Sequence, residues 1–182
     1  MTESSVVALD TEIESFIEDA LAHASAELSK VREFSCTGFF LAGEPFLFFE
    51  SSPSLVQGVT KCFKGHSAPT DHSAYARIFA DYSGLHVKRS QKIQDRIGTK
   101  AIAFDPDLIA RGYRAVFDAG RNSWDIYDTN SRLGARLQNG VESAPPWETT
   151  SPLKNFSKWI VESTGKVMLH AGTIFNLSLI HI

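Results

Sequence analysis

The sequence predicts an α+β fold, helices laid on a largely antiparallel sheet, and three observations carry that expectation. Apolar residues recur at helical spacing from Ile13 to Val31. Aromatic residues crowd between Phe34 and Glu50 on both sides of a Gly-Glu-Pro turn. From Tyr113 to Leu137 apolar and polar residues alternate, interrupted by two polar turns.

The 182 residues are 43% hydrophobic and 21% charged, a globular composition that suffices for a sizeable core. A formal net charge of -3 gives no overall attraction to nucleic acid or to an anionic membrane, so neither is expected as a partner. The two cysteines, Cys36 and Cys62, suggest neither a disulfide framework nor a zinc ligand set, which fits a reduced, cytoplasmic setting. Met1 to Asp10 lacks the basic start of a secretory signal, and no apolar run approaches the span of about 20 residues that a bilayer needs.

In chain order, Thr11 and Glu14 have capping-box spacing, and behind them Ile13, Phe16, Ile17, Ala20, Leu21, Ala24, Leu28 and Val31 define an amphipathic helix of about five or six turns. Such a stripe serves as core or as a dimer seam, which keeps a homo-oligomer or a partner-docking arm open. Phe39 and Phe40, then Phe46, Phe48 and Phe49, flank Gly43-Glu44-Pro45 as a hairpin. With only Glu44 and Glu50 charged between Gly38 and Ser51, these rings read as core packing rather than a base-stacking platform, which needs basic neighbours.

Ser52-Pro53 starts a second helix with Leu55, Val56, Val59, Cys62 and Phe63 on one face and Gly65 as its stop, so Cys62 reads as a buried, inert thiol. His66 to Ser73 is a polar loop, and the spacing of His66 and His72 matches neither a helical zinc site nor a finger. Tyr75 to Asp81 alternates as a strand. Lys88, Arg89, Lys92, Arg96 and Lys100 are opposed only by Asp95; they read as a solvated face, with a phosphate-binding patch as the sharper alternative. Asp105-Pro106-Asp107 reads as a turn rather than as paired catalytic carboxylates. Three antiparallel strands follow: Tyr113, Ala115 and Phe117, then Trp124 and Ile126, then Leu133, Ala135 and Leu137, with turns at Gly120-Arg121-Asn122 and at Asp128 to Ser131. A domain boundary is expected at 139–150, where Asn139-Gly140 and Pro145-Pro146 fall, which leaves 1–138 as an N-terminal α+β domain.

Beyond the boundary, Ser151 is placed to cap a helix that Pro152 starts and Gly165 closes, with Leu153, Phe156 and Ile160 on one face, Trp159 on its flank, and Lys154, Asn155, Lys158 and Glu162 turned to water. A buried strand is expected over Val167 to Phe175, with His170 inside it. The order Pro146, Trp147, Glu148, Pro152, Leu153, Trp159, Gly165, Leu169, His170 and Ala171 resembles the HPr-kinase-like P-loop serine kinases. There a Pro-x-(Trp)-Glu-x-x-x-Pro-Leu segment precedes a helix bearing a Trp, then a glycine and a strand reading Leu-His-Ala. Their aromatic, aspartate-bearing hairpin extends the likeness loosely back to Tyr113.

The resemblance implies that 151–175 is the first helix and strand of a P-loop kinase-like domain, and that the parent protein moves the γ-phosphoryl of ATP, with Mg²⁺, to a protein or peptide hydroxyl. Such transfer needs a Gly-rich turn around the phosphates, a Lys, and a Ser/Thr on the metal. No Gly-x-x-x-x-Gly-Lys-Ser/Thr occurs; Ser163-Thr164-Gly165-Lys166 lacks the first glycine and the following hydroxyl, so it reads as a helix stop. The chain is therefore expected to be an inactive N-terminal part of such a kinase, with 176–182 as a translated adapter tail; the alternative is a stand-alone α+β protein-interaction module. The resemblance also gives His170 a catalytic place beside the phosphate loop, although Ala171 stands where HPr kinase itself has Gly. On the residues alone, a histidine in an apolar strand reads as a hydrogen-bonded core residue.

Overall fold

A single mixed sheet organises the residues that the computed structural model describes, namely 3–30, 35–41, 43–50, 67–68, 75–84, 89, 91–93, 106–118, 122–138 and 153–166. Helix α1 (Glu3–Ser29) leads into strands β1 (Ser35–Leu41), β2 (Glu44–Glu50), β3 (Ser67–Ala68) and β4 (Ala76–Asp81). Helix α2 (Pro106–Ala110), strands β5 (Tyr113–Asp118), β6 (Ser123–Asp128) and β7 (Leu133–Gln138), and helix α3 (Lys154–Glu162) complete the described elements. The strand order is β3-β1-β2-β4-β7-β6-β5.

The expected hairpin and meander are both present, as antiparallel β1–β2 and β5–β6–β7. Their junction departs from the antiparallel expectation, because β4 pairs parallel with β2 on one side and with β7 on the other. The long connections 51–75 and 82–132 explain this, since parallel neighbours need a crossover rather than a tight turn. Strand β4 is in consequence covered on both faces, and its residues are nearly all buried rather than alternating. Within the expected polar loop, Ser67–Ala68 pairs with β1 as an edge strand.

On one face lies α1. Phe16, Ile17, Ala20 and Ala24 are fully buried there against Phe79, Trp124, Ala135 and Leu137. Phe16 meets Trp124 edge-on at 5.2 Å. The helix runs from Glu3, so Thr11 and Glu14 lie inside it rather than at its start. No glycine or proline interrupts residues 3–10, and Glu14 pairs with Arg111 after α2 instead of capping. Asp105-Pro106-Asp107 likewise gives more than a turn: Pro106 opens α2, as a residue lacking an N–H is suited to do.

The opposite face carries α3. Leu153, Phe156, Trp159 and Ile160 are buried in one cluster with Phe39, Phe46, Phe48, Ile78 and Tyr127, and this is the apolar face the spacing predicts. Its start is later than expected, at Leu153 without a side-chain cap; Ser151 and Pro152 lie outside the described residues. Its stop is the one expected. Gly165 adopts φ 75°, and Lys166 N–H donates to the carbonyl of Val161 at 3.3 Å, closing the last turn in the way a left-handed glycine permits. Among the described residues no helix is long and apolar enough to cross a membrane.

Candidate functional site

Strand alternation decides which polar groups meet α3. In β6 and β7 the residues Trp124, Ile126, Leu133, Ala135 and Leu137 point to α1, so Ser123, Asp125, Tyr127, Gly134, Arg136 and Gln138 point the other way. The register sets Asp125 directly across from Arg136. Their side chains form a two-pronged ion pair, Nε to Oδ1 at 2.7 Å and Nη2 to Oδ2 at 2.9 Å, with both residues buried.

Helix α3 closes over this pair. Asn155, expected to face water, donates from Nδ2 to Asp125 Oδ2 at 2.9 Å. The ring of Phe156 lies over the Arg136 guanidinium, 5.6 Å from Cζ to the ring centroid. Gly134 leaves the space that the ring needs: a Cβ there would stand 2.8 Å from Phe156 Cε1. Burial works to lower the Arg136 pKa, and the charge and hydrogen bonds of Asp125 outweigh it, so the guanidinium stays charged and its pKa is raised.

The chemistry open to this cluster is limited by how fully it is occupied. Both oxygens of Asp125 already accept hydrogen bonds, and Arg136 is committed to them. The arrangement suits holding a helix in place better than proton transfer or anion capture.

A second polar site lies on the α1 face at the end of β4. His23 Nε2 is 3.1 Å from Asp81 Oδ2, and Asp81 Oδ1 accepts the Ser83 backbone N–H at 2.8 Å. The carboxylate is almost fully buried and the imidazole about one-fifth exposed, so Asp81 orients a ring that solvent can reach. The ring also meets Phe79 edge-on at 6.1 Å.

At the far end of α3, Glu44 links the helix to the β1–β2 turn. Its carboxylate takes Lys166 Nζ at 2.7 Å and lies 3.7 Å from Arg132 Nη2. Beneath them Tyr127 is fully buried with its ring stacked on Trp159 at 6.4 Å, and its hydroxyl lies near Arg132 and Ser163 without a well-formed hydrogen bond. Burial pushes the phenol pKa up, while nearby Arg132 and Ser163 pull it down less strongly.

Of the residues singled out from sequence, His170 lies outside the described residues, as do His66, His72, Cys62, Asp105, Lys88, Arg96 and Lys100. From the basic segment, Arg89 is used internally: it pairs with Asp19, donates to Ser15 Oγ at 2.9 Å and lies 6.0 Å from the Phe16 ring centroid. Lys92 is exposed. Sequence reasoning missed Asp125, Arg136, Asn155, His23 and Asp81. One signal for the first two was present. A turn at Asp128 to Ser131 that sets Asp128 across from Leu133 also sets Asp125 across from Arg136, two opposite charges on one side of a hairpin.

Comparison with protein-family models, with curated proteins and with solved structures finds no match to this chain.

Proposed function

We propose that these residues form the part of an HPr-kinase-like serine kinase that precedes its phosphate loop, in a cytoplasmic enzyme that phosphorylates a protein or peptide hydroxyl. The observation supporting this reading is the described half of the resembling segment. Leu153 and Trp159 are buried against the sheet and Gly165 ends the helix in the left-handed conformation, which agrees with the helix-then-glycine order of that segment.

These residues do not fit ATP and Mg²⁺. The sequence has no Gly-x-x-x-x-Gly-Lys-Ser/Thr, and among the described residues no group of three or more metal-ligating side chains is gathered. No catalytic step is therefore assigned to them, and His170 stands as the residue that the kinase reading would place at the reacting centre.

The test is the genomic locus. A reading frame that continues past the Ile182 codon into a Gly-rich Lys-Ser/Thr loop, with ATP-dependent phosphorylation by its full product, is the expected result. A stop codon at that point, or micromolar ATP binding by the 182 residues alone, would contradict it; the stop codon would favour a stand-alone interaction module.

A further inference from the structure

We propose that Asn155 is a positioning residue that pins the register of α3 on the β6–β7 hairpin. The apolar side chains of α3 cannot do this alone. Leu153, Phe156, Trp159 and Ile160 are all large and buried. A slip by one turn, about 5.4 Å, would replace Phe156 with Ile160 in the same groove. Apolar contact is non-directional, so such a slip loses shape but keeps burial.

Two features on the sheet do distinguish the frames. Asp125 Oδ2, which Arg136 Nη2 already bonds, gains a donor from α3 only when Asn155 stands over it; after a slip that brings the next turn forward, Trp159 would occupy that place, and its one donor, the Nε1–H of a much larger ring, does not replace a short amide there. The gap above Gly134 fits the flat ring of Phe156, whose Cε1 would stand 2.8 Å from any added Cβ. A branched Ile160 fills that gap poorly. A part-buried polar bond onto a buried ion pair, fixing register at little gain in stability, is the role best attested for such groups.

Register matters here because α3 passes directly, through Gly165 and Lys166, into the segment bearing His170. Only that use of the pin rests on the kinase reading. A reading frame without a phosphate loop would remove the use and leave the pin, whereas an unpinned helix would leave the kinase reading where it stands.

The experiment is NMR of the 182-residue chain with Asn155→Leu and Asn155→Ala. The readouts are the nuclear Overhauser contact between the Phe156 ring and the Gly134 α-protons, and amide exchange along α3. Wild type is expected to give one set of α3 resonances and a strong contact. The leucine variant, similar in size but without a donor, is expected to melt close to wild type while α3 resonances double and the contact weakens. In the alanine variant α3 amides should exchange about tenfold faster or more, as loss of a hydrogen bond to a charged group implies. A single set of resonances with the contact undiminished, in either variant that folds, would overturn the proposal. Failure of both to fold would overturn it too, by showing that Asn155 supplies stability rather than register.

Discussion

The two faces of the sheet are covered by different physical means. On one, a 27-residue helix lays a continuous apolar stripe over Phe79, Trp124, Ala135 and Leu137. On the other, a nine-residue helix is seated on a smaller apolar cluster and also on a buried ion pair, Asp125 with Arg136, that it touches through Asn155 and Phe156. Each large side chain buried on the α1 face contributes about 1.5–3 kcal/mol, and that attraction is indifferent to small displacements. The α3 face adds contacts that exist in one position only. Apolar area stabilises the first face, and on the second, polar geometry chooses among positions of similar stability.

The largest effects should come from single truncations on either face, and there the two faces look alike. Trp124→Ala removes a buried indole in contact with Phe16 and should cost about 3–5 kcal/mol. Arg136→Met leaves the buried Asp125 carboxylate without its cation and should also cost about 3–5 kcal/mol, both read by urea denaturation. The faces part company in salt-insensitive repair: no second substitution nearby restores the lost indole, whereas removing Asp125 as well should recover most of the Arg136→Met loss.

A smaller effect probes the fit of α3. Gly134→Ala places a methyl group against the Phe156 ring and should destabilise by about 1–3 kcal/mol, with the Phe156 resonances shifted and those of Phe16 unmoved. Were Phe16 to shift equally, the faces would not be independent.

The smallest effect is pH-dependent. Tyr127 is held protonated by burial, its pKa raised above that of the unfolded chain. Between the unfolded pKa near about 10 and the higher folded value, the unfolded state has released a proton that the native state keeps. Stability then falls as pH rises, and it is fully present at neutral pH. Tyr127→Phe should leave neutral-pH stability within about 1 kcal/mol of wild type, since the hydroxyl makes no well-formed hydrogen bond although Arg132 and Ser163 lie near it, and should shallow the alkaline decline. Tyr113 and Cys36, both raised first of all by burial, act in the same direction and leave a residual slope in the variant.

What could be read from sequence follows the same division. The stripe expected from Ile13 to Val31, the hairpin about Gly43 and the meander with its Asp128 turn are local periodicities, and each became an element of the expected type, Val31 itself lying outside the described residues. The Asp128 turn forms for the reason its residues suggest, the carboxylate accepting the backbone N–H groups of Asn130 and Ser131 at 2.9 and 3.2 Å. The helix start at Glu3 was hidden because a capping box further along mimics a terminus. The parallel pairing of β4 and the burial of Asp125, Arg136 and Asn155 were hidden for a different reason. Burial of a charge depends on which element arrives to cover it, and α3 arrives from the far side of residues 139–150. The strand expected over Val167 to Phe175, and His170 with it, lies outside the described residues.

The contrast between the faces is tested most directly by replacing the ion pair as a unit, with Asp125→Leu and Arg136→Met in one chain. Buried ion pairs exchanged for well-packed apolar groups are often neutral or better in stability. The double variant is expected to have a urea midpoint close to wild type while its α3 amides exchange faster and its Phe156–Gly134 contact weakens, the α1 amides remaining as protected as before. A double variant as unstable as Arg136→Met alone, or one that keeps the Phe156–Gly134 contact intact, would contradict it.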